Sequence, residues 1–338
     1  MTIRKPRPAS LQLLTAEAAL RRISSSHPKY PFIELDLRKA KAGVKGEKSV
    51  AHFLSLINLT DKFVYHNLRL KRDDQHHFEL DTLIISPHYL LIIEVKYFSG
   101  EWVELREYPN QLTQFTYEQT RRTYEDPILQ VKEQRKNLAN WLVRRNLPSL
   151  PIEYLVIMPN SSCELRFHEN YKEYKRVIRL PSLEQNLISF DTFHKRSSGI
   201  PKSDINLLDE RLLAEHCPPA SHGITRYALQ EDEIKKGIHC PQCRSIPMIR
   251  KKCTWHCPFC DYFSSAKIPG RETLMDYFLL VNDTINNRQV RDFCLVDTPR
   301  QARNLLRGLN LEYCGSTKGR VYLLRGLFDL YDLQSEKV

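Results

Sequence analysis

The sequence predicts an α/β protein: a mixed sheet flanked by helices, then a small cysteine-held module and a mostly helical C-terminal module. Three observations carry this. Residues Phe78 to Lys96, FELDTLIISPHYLLIIEVK, read as two adjacent strands parted by the turn pair Ser86-Pro87. Within them the run Leu90, Leu91, Ile92 and Ile93 suits a strand buried on both faces of a sheet. Asp126-Pro127 is a strong helix start, and Ile128, Val131, Leu138 and Leu142 follow it as an apolar stripe. Cys240, Cys243, Cys257 and Cys260 are spaced C-x2-C-x13-C-x2-C, which suits a tetrahedral metal.

At 338 residues the chain exceeds one average domain. A hydrophobic fraction of 41% allows a real core. The formal net charge of +11 and a pI near 9.2 favour a polyanionic partner. No apolar run of about 18 residues predicts a membrane span, and the N-terminus lacks the apolar region of a signal peptide. Five of the nine cysteines lie between Cys240 and Cys260. That clustering points to metal binding in a reducing compartment, with the cytoplasm as the expected location and no membrane partner.

In chain order, residues 1–42 read as a basic extension. Arg4, Lys5 and Arg7 alternate with Pro6 and Pro8, which disfavours a helix. A helix follows from Thr15 to Ile23, capped by Thr15. Arg38, Lys39, Lys41 and Lys45 read as a solvated basic arm, with phosphate contact as the other reading. Residues 43–160 form the main domain. Its first helix carries Val50, Phe53, Leu54 and Ile57 at helical spacing, and a strand runs from Lys62 to Leu70. After the central pair come a short strand within Gly100–Gln114, the helix at Pro127 and a buried strand from Ile152 to Met158. The order is α-β-β-β-α-β. His76 and His77 lie in a polar loop and read as surface residues. Residues 161–222 form a helical extension and linker, with an edge strand at Arg176–Leu180. Its helices run from Leu183 to Phe193 and from a Ser203 or Asp204 cap to Glu215. The remaining segments are 235–265 and 270–330.

Asp81, Glu94 and Lys96 are charged residues set in the apolar central pair. A buried carboxylate is costly unless it is paired or binds a metal. Alternation along a strand places Glu94 and Lys96 on one face, and a hairpin brings Asp81 beside them. Two carboxylates suit Mg²⁺, which activates water and stabilises charge on a phosphoryl oxygen. The neighbouring amine can orient that water. A partly buried ion pair at a strand end is the alternative.

The pattern D-x12-E-x-K resembles the core of the PD-(D/E)xK nuclease superfamily. The fuller stretch, from Gly46-Glu47 through LDTLII and IIEVK to Gly100, looks like a NERD (nuclease-related) domain. The resemblance implies a restriction-endonuclease-like mixed sheet. By it, Asp81 and Glu94 would be ligands of Mg²⁺ or Mn²⁺, Lys96 the catalytic lysine and Glu47 an auxiliary acid. Gln130, on the helix after Asp126-Pro127, would be a polar residue donated to the site; an ordinary exposed helix glutamine is the alternative. Leu80 stands where the superfamily has proline.

The cysteine segment IHCPQCRSIPMIRKKCTWHCPFCDYF resembles a zinc ribbon, with a structural Zn²⁺ on Cys240, Cys243, Cys257 and Cys260. So short a segment has little core, so metal binding is expected to drive its folding. Cys253 and His256 are spare donors. Residues 272–330 resemble a winged helix-turn-helix. Its helices span Thr273–Thr284, Asn287–Phe293 and a third from Pro299 to Leu309, capped by Asp297 or Thr298. Arg300, Arg303 and Arg307 fall on one flank of the third helix, spaced to meet phosphates or base edges along a groove; a solvated basic helix in a small all-helical interaction module is the alternative. Lys318 and Arg320 form a basic wing in a Tyr313–Leu324 hairpin.

Together these readings predict a metal-dependent nuclease hydrolysing phosphodiester bonds in DNA, with accessory DNA-binding modules. The alternatives are a non-catalytic DNA-binding or regulatory protein with a degenerate nuclease fold, and an RNA-directed nuclease.

Overall fold

A computed structural model describes residues 2–57, 59–196, 198–219, 222–251, 254–265, 267–316 and 319–328. The chain divides into two compact units. One comprises Met1–Pro8 and Ala42–Pro219, the other Ala9–Lys41 and Ala220–Val338.

The first elements are β1 (Thr2–Lys5), α1 (Leu11–Arg22) and α2 (Tyr30–Leu56). The basic extension expected over residues 1–42 is therefore divided: Met1–Pro8 belong to the first unit and Ala9–Lys41 to the second. Helix α1 starts earlier than Thr15: the Ser10 hydroxyl accepts from the Leu13 amide at 3.3 Å, and Thr15 is buried one turn inside. Helix α2 starts well before Gly43, with Pro31 in its first turn, where a missing N–H costs nothing.

The first unit continues with β2 (Phe63–Lys71), β3 (His77–Ile85), β4 (Leu90–Val95), β5 (Trp102–Arg106), β6 (Gln111–Phe115) and β7 (Arg121–Glu125). Then come α3 (Pro127–Arg144), β8 (Ile152–Ile157), β9 (Glu164–Phe167), β10 (Val177–Ile178), α4 (Leu183–His194) and α5 (Lys202–Ala214). A mixed six-stranded sheet has the order β1-β2-β3-β4-β8-β10. Strands β2, β3 and β4 are antiparallel neighbours, whereas β4 runs parallel to β8. A second, four-stranded sheet has the order β7-β6-β5-β9. The α-β-β-β-α-β order therefore holds for the main sheet, with a hairpin and an edge strand inserted between β4 and α3.

Strand β4 is buried throughout, as its apolar run requires. On one face of the main sheet Ile128, Val131, Leu138 and Trp141 of α3 pack over Leu83, Ile92 and Val156. On the other face Val50 and Leu54 of α2 and Leu183 and Leu187 of α4 pack over Ile84, Leu91 and Ile93. Helix α3 begins as its sequence dictates: Asp126 accepts from the Ile128 amide at 2.9 Å and Pro127 opens the first turn. Helix α5 has Pro201 at its N-cap position, two to three residues before the expected cap.

The second unit adds α6 (Gly223–Tyr227), β11 (Ile249–Lys251), β12 (Thr254–His256), β13 (Phe263–Ser265) and α7 (Lys267–Leu280). It ends with β14 (Thr284–Asn286), α8 (Asn287–Cys294), α9 (Pro299–Arg307), β15 (Tyr313–Cys314) and β16 (Val321–Leu323). Strands β11, β12 and β13 form an antiparallel ribbon sheet. Strands β14-β16-β15 form another. The first tail helix ends at Leu280, not Thr284, because Thr284 already pairs with Leu323 in that sheet. Thr298, not Asp297, caps α9 by accepting from the Gln301 amide at 3.2 Å.

The ribbon does not stand on its own core. Ile238, Cys240, Met248, Trp255 and Cys257 share one apolar cluster with Leu14, Ala18 and Ala19 of α1 and with Leu274 and Phe278 of α7. The expected boundary between 235–265 and 270–330 is therefore not a break in packing, and metal is not the only force ordering the ribbon.

Candidate active site and metal centre

The antiparallel ladder between β3 and β4 stops at Thr82 and Ile93. Beyond that pair β3 keeps pairing with β2, out to His77 with Lys71, while β4 keeps pairing with β8. The Asp81 carboxylate sits in the resulting wedge and takes the bond the ladder no longer supplies: its Oδ2 accepts from the Val95 amide at 2.8 Å. Asp81 is thereby fixed to the strand that carries Glu94 and Lys96.

Glu94 is 2% exposed, on the β4 face covered by α3. Its Oε1 lies 2.7 Å from Lys96 Nζ, and its Oε2 accepts from Gln134 Nε2 at 2.7 Å. Lys96 Nζ also donates to Gln130 Oε1 at 2.7 Å. Gln130 and Gln134 stand one turn apart on α3, so one helix face holds both the acid and the amine of β4. The Lys96 amide donates to Ile157 O at 2.9 Å, which ties its backbone to β8.

Glu47 reaches the same region from α2. Gly46 makes that approach possible: a Cβ there would lie 3.0 Å from Tyr97 Cβ. Gly100 closes the stretch with φ of +122°, a conformation that favours glycine, and a Cβ there would meet Phe115 O at 2.5 Å. Glu47 is ion-paired to Arg7 and accepts from Asn67 Nδ2 at 3.3 Å. Burial first, then the charges of Glu94 and Glu47, push the Asp81 carboxyl well above the usual carboxylate range. An acid so placed favours the arrival of a cation, because a divalent ion offsets both the burial and the repulsion.

Asp81, Glu94, Lys96 and Gln130 are thus brought together, with Glu47 in electrostatic range of Asp81. Sequence reading missed Gln134, Asn67 and Arg7. Gln134 had a signal in its spacing of four from Gln130, which keeps both on one helix face. Arg7 had none, lying 40 residues before its partner. His76 is exposed beside Asp73, with ring Nδ1 2.7 Å from Asp73 Oδ1.

The second candidate centre is the cysteine cluster. The ligand atoms of Cys240, Cys243, Cys257 and Cys260 all lie within 4.8 Å of one another. Sγ of Cys240 and Cys260 are 3.7 Å apart, and those of Cys243 and Cys257 are 3.5 Å apart. Tetrahedral Zn–S bonds of about 2.3 Å put sulfurs about 3.8 Å apart, so the cluster could hold that ion. Two matching turns build it. Cys240 O accepts from the Arg244 amide at 2.8 Å and Cys257 O from the Asp261 amide at 3.0 Å. Arg244 and Asp261 are both left-handed, with φ of 62° and 55°. The cluster on its three-stranded sheet fits a small zinc ribbon. His256 lies outside the four, its Nε2 3.2 Å from Asp261 Oδ1; Cys253 lies outside the described residues.

In the tail, Arg300, Arg303 and Arg307 are exposed on α9, while Ala302, Leu305 and Leu306 are buried. Arg320 is only partly exposed, its guanidinium 4.0 Å from the Tyr313 ring centroid. Lys318 lies outside the described residues.

Residues 42–159 match the family model of the nuclease-related domain, NERD. The chain therefore carries a nuclease-related domain, and the match ends two residues after β8. No curated protein matches the chain. No helix among the described residues is long and apolar enough to cross a membrane.

Proposed function

We propose that the first unit is a divalent-metal-dependent nuclease that hydrolyses phosphodiester bonds in DNA. One observation carries the reading: Asp81, Glu94, Lys96 and Gln130 converge at the splayed end of β3 and β4, inside the nuclease-related match. Asp81 and Glu94 are the carboxylates that would hold Mg²⁺ or Mn²⁺. Bound there, such an ion supplies Lewis acidity toward a phosphoryl oxygen and lowers the pKa of a coordinated water.

The residues of the chain do the rest. Gln134 holds one Glu94 oxygen, which fixes the carboxylate rotamer. Gln130 holds the Lys96 amine within reach of the acids, where it orients the attacking water and offsets charge growing on phosphate. Glu47 is the auxiliary acid. In the second unit, Zn²⁺ on Cys240, Cys243, Cys257 and Cys260 is structural, because four thiolates leave no open position. The α7-β14-α8-α9-β15-β16 order supports a winged-helix-like reading of the tail, with Arg300, Arg303, Arg307, Lys318 and Arg320 as phosphate contacts. A cytoplasmic location belongs to the same reading.

A second reading is favoured by the 2.7 Å Glu94–Lys96 pair, which satisfies both charges without any ion. On that reading the domain binds nucleic acid without cutting it. The test is cleavage of plasmid DNA and of structured RNA with and without Mg²⁺, with Asp81→Ala and Lys96→Ala as controls. Cleavage lost in both variants supports the nuclease. Salt-sensitive binding without cleavage supports the second reading, and preferential cutting of RNA reassigns the substrate.

A further inference from the structure

The acidic site already contains a cation that the family match does not cover. Arg7 follows β1, and its guanidinium is ion-paired to Glu47. It also donates to Asn67 Oδ1 at 2.6 Å and lies 3.4 Å from His66 Nδ1. Its side chain is 11% exposed, and its Nε is buried without a partner. Burial, then the charges of Arg7 and Lys5, hold the His66 imidazole down at about 3, so the ring is neutral and Nδ1 can accept from the guanidinium. Asn67 interrupts β2 in the left-handed conformation, φ 47°, between the pairs His66–Thr82 and Leu68–Leu80. Asp81 occupies the matching gap in β3. The irregularity that seats Asp81 thus also aims Asn67 at Arg7 and Glu47.

Burial is the main influence on the Arg7 guanidinium and lowers its pKa; the charges of Glu47 and Asp81 oppose this. An arginine still stays charged at any working pH. Burial argues against a phosphate contact, which needs an exposed guanidinium. A plain surface ion pair fails too, since Arg7 feels Asp81 as well as Glu47. Glu47, Asp81 and Glu94 place three carboxylates here, and Lys96 answers only part of that charge.

We propose that Arg7 is a built-in counter-cation of the site: it stabilises the ion-free carboxylates, and a divalent ion at Asp81 and Glu94 takes over that role. The proposal rests on the reading of those two residues as cation ligands. Arg7 and the ion then share one acidic field and repel each other. At an effective dielectric near 20, a unit charge even ~15 Å from a divalent ion contributes about 2 kcal/mol, so its removal is expected to change the ion's affinity by at least about tenfold.

The test is Mn²⁺ binding to the full-length, zinc-loaded protein, followed by calorimetry and by the free-Mn²⁺ spin-resonance signal. Arg7→Gln is expected to bind Mn²⁺ at least about tenfold tighter than wild type, and Arg7→Lys within about twofold of it. Arg7→Gln should also melt lower than wild type without added Mn²⁺ and gain more on its addition. Unchanged or weaker binding by Arg7→Gln, or an Arg7→Lys variant that behaves like it, overturns the proposal. If Arg7→Gln folds only in millimolar Mn²⁺, the ion has replaced the guanidinium and the proposal stands; failure to fold even then overturns it. Asp81→Asn separates the two layers. If wild type shows no Mn²⁺ binding that Asp81→Asn removes, the ligand reading falls and takes this one with it. If such binding exists but ignores the Arg7 charge, only the counter-cation is lost.

Discussion

Each unit sets a carboxylate among charged neighbours in its interior, and the two sites are poised in opposite senses. In the second unit Asp276 is 1% exposed and lies between two arginines, 2.8 Å from Arg21 and 2.7 Å from Arg22. Arg22 is itself fully buried, donates to Lys235 O at 2.8 Å and lies 4.5 Å from the Phe293 ring centroid. Burial alone would raise the Asp276 carboxyl, but Arg22 and then Arg21 outweigh it and hold it below the usual range. In the first unit Asp81 is raised by burial, and the neighbouring charges that matter most are two further acids. Burial acts on both in the same direction, so the balance of acids against cations decides. A cluster with its charge met is a staple, here tying α1 to α7. A cluster with acid to spare has capacity for an ion.

This contrast is broken most directly by activity. Asp81→Ala and Lys96→Ala are each expected to lower Mg²⁺-dependent cleavage by about 10³-fold or more, some 4 kcal/mol of transition-state stabilisation. Equal cleavage by Lys96→Ala and wild type would make the Glu94–Lys96 pair a staple like that of Asp276. Next in size, Asp276→Asn leaves Arg22 buried and short of its partner. It should lower the second unit's unfolding free energy by about 3–5 kcal/mol in a denaturant titration. An unchanged midpoint would dismiss the staple.

The pH responses should also differ in sign. Asp276 has a lowered pKa in the fold, so its stabilisation is present above the unfolded value of about 3.8 and is lost as pH falls through the folded value. Asp81 has a raised pKa, so in ion-free protein stability is highest below about 3.8 and falls as pH rises through the folded value. Asp276→Asn should flatten the acid limb of the stability profile, and Asp81→Asn the rising-pH limb. The smallest effect follows from the same logic. Asp81→Asn keeps an acceptor for the Val95 amide and removes a strained charge, so ion-free protein should gain about 1 kcal/mol at neutral pH while losing cleavage. Destabilisation by that substitution would show that Asp81 is already neutralised in place.

The site was legible wherever its geometry is local. Asp81, Glu94 and Lys96 lie within one hairpin, and alternation along a strand needs no further information to place Glu94 and Lys96 together. Gln130 was reachable only through the resemblance, which implies a glutamine after an Asn/Asp-Pro pair; Asp126-Pro127 then fixes where α3 starts. Gln134 lay on the same helix face, but nothing local showed that Glu94 has a second oxygen to satisfy.

What the sequence determined by itself was the set of elements with strong local chemistry. These are the apolar run of β4, the Asp126 cap, and the paired C-x2-C turns whose four sulfurs lie within 4.8 Å of one another. Only the tertiary structure decided which distant groups complete them. The β3–β4 ladder ends at Thr82 and opens a wedge for Asp81; Arg7 arrives beside Glu47; and α1 shares its core with the ribbon and α7. The reason is physical. Caps, turns and alternation are set by neighbours within a few residues, whereas charge compensation and core sharing depend on which surfaces meet after the chain has folded.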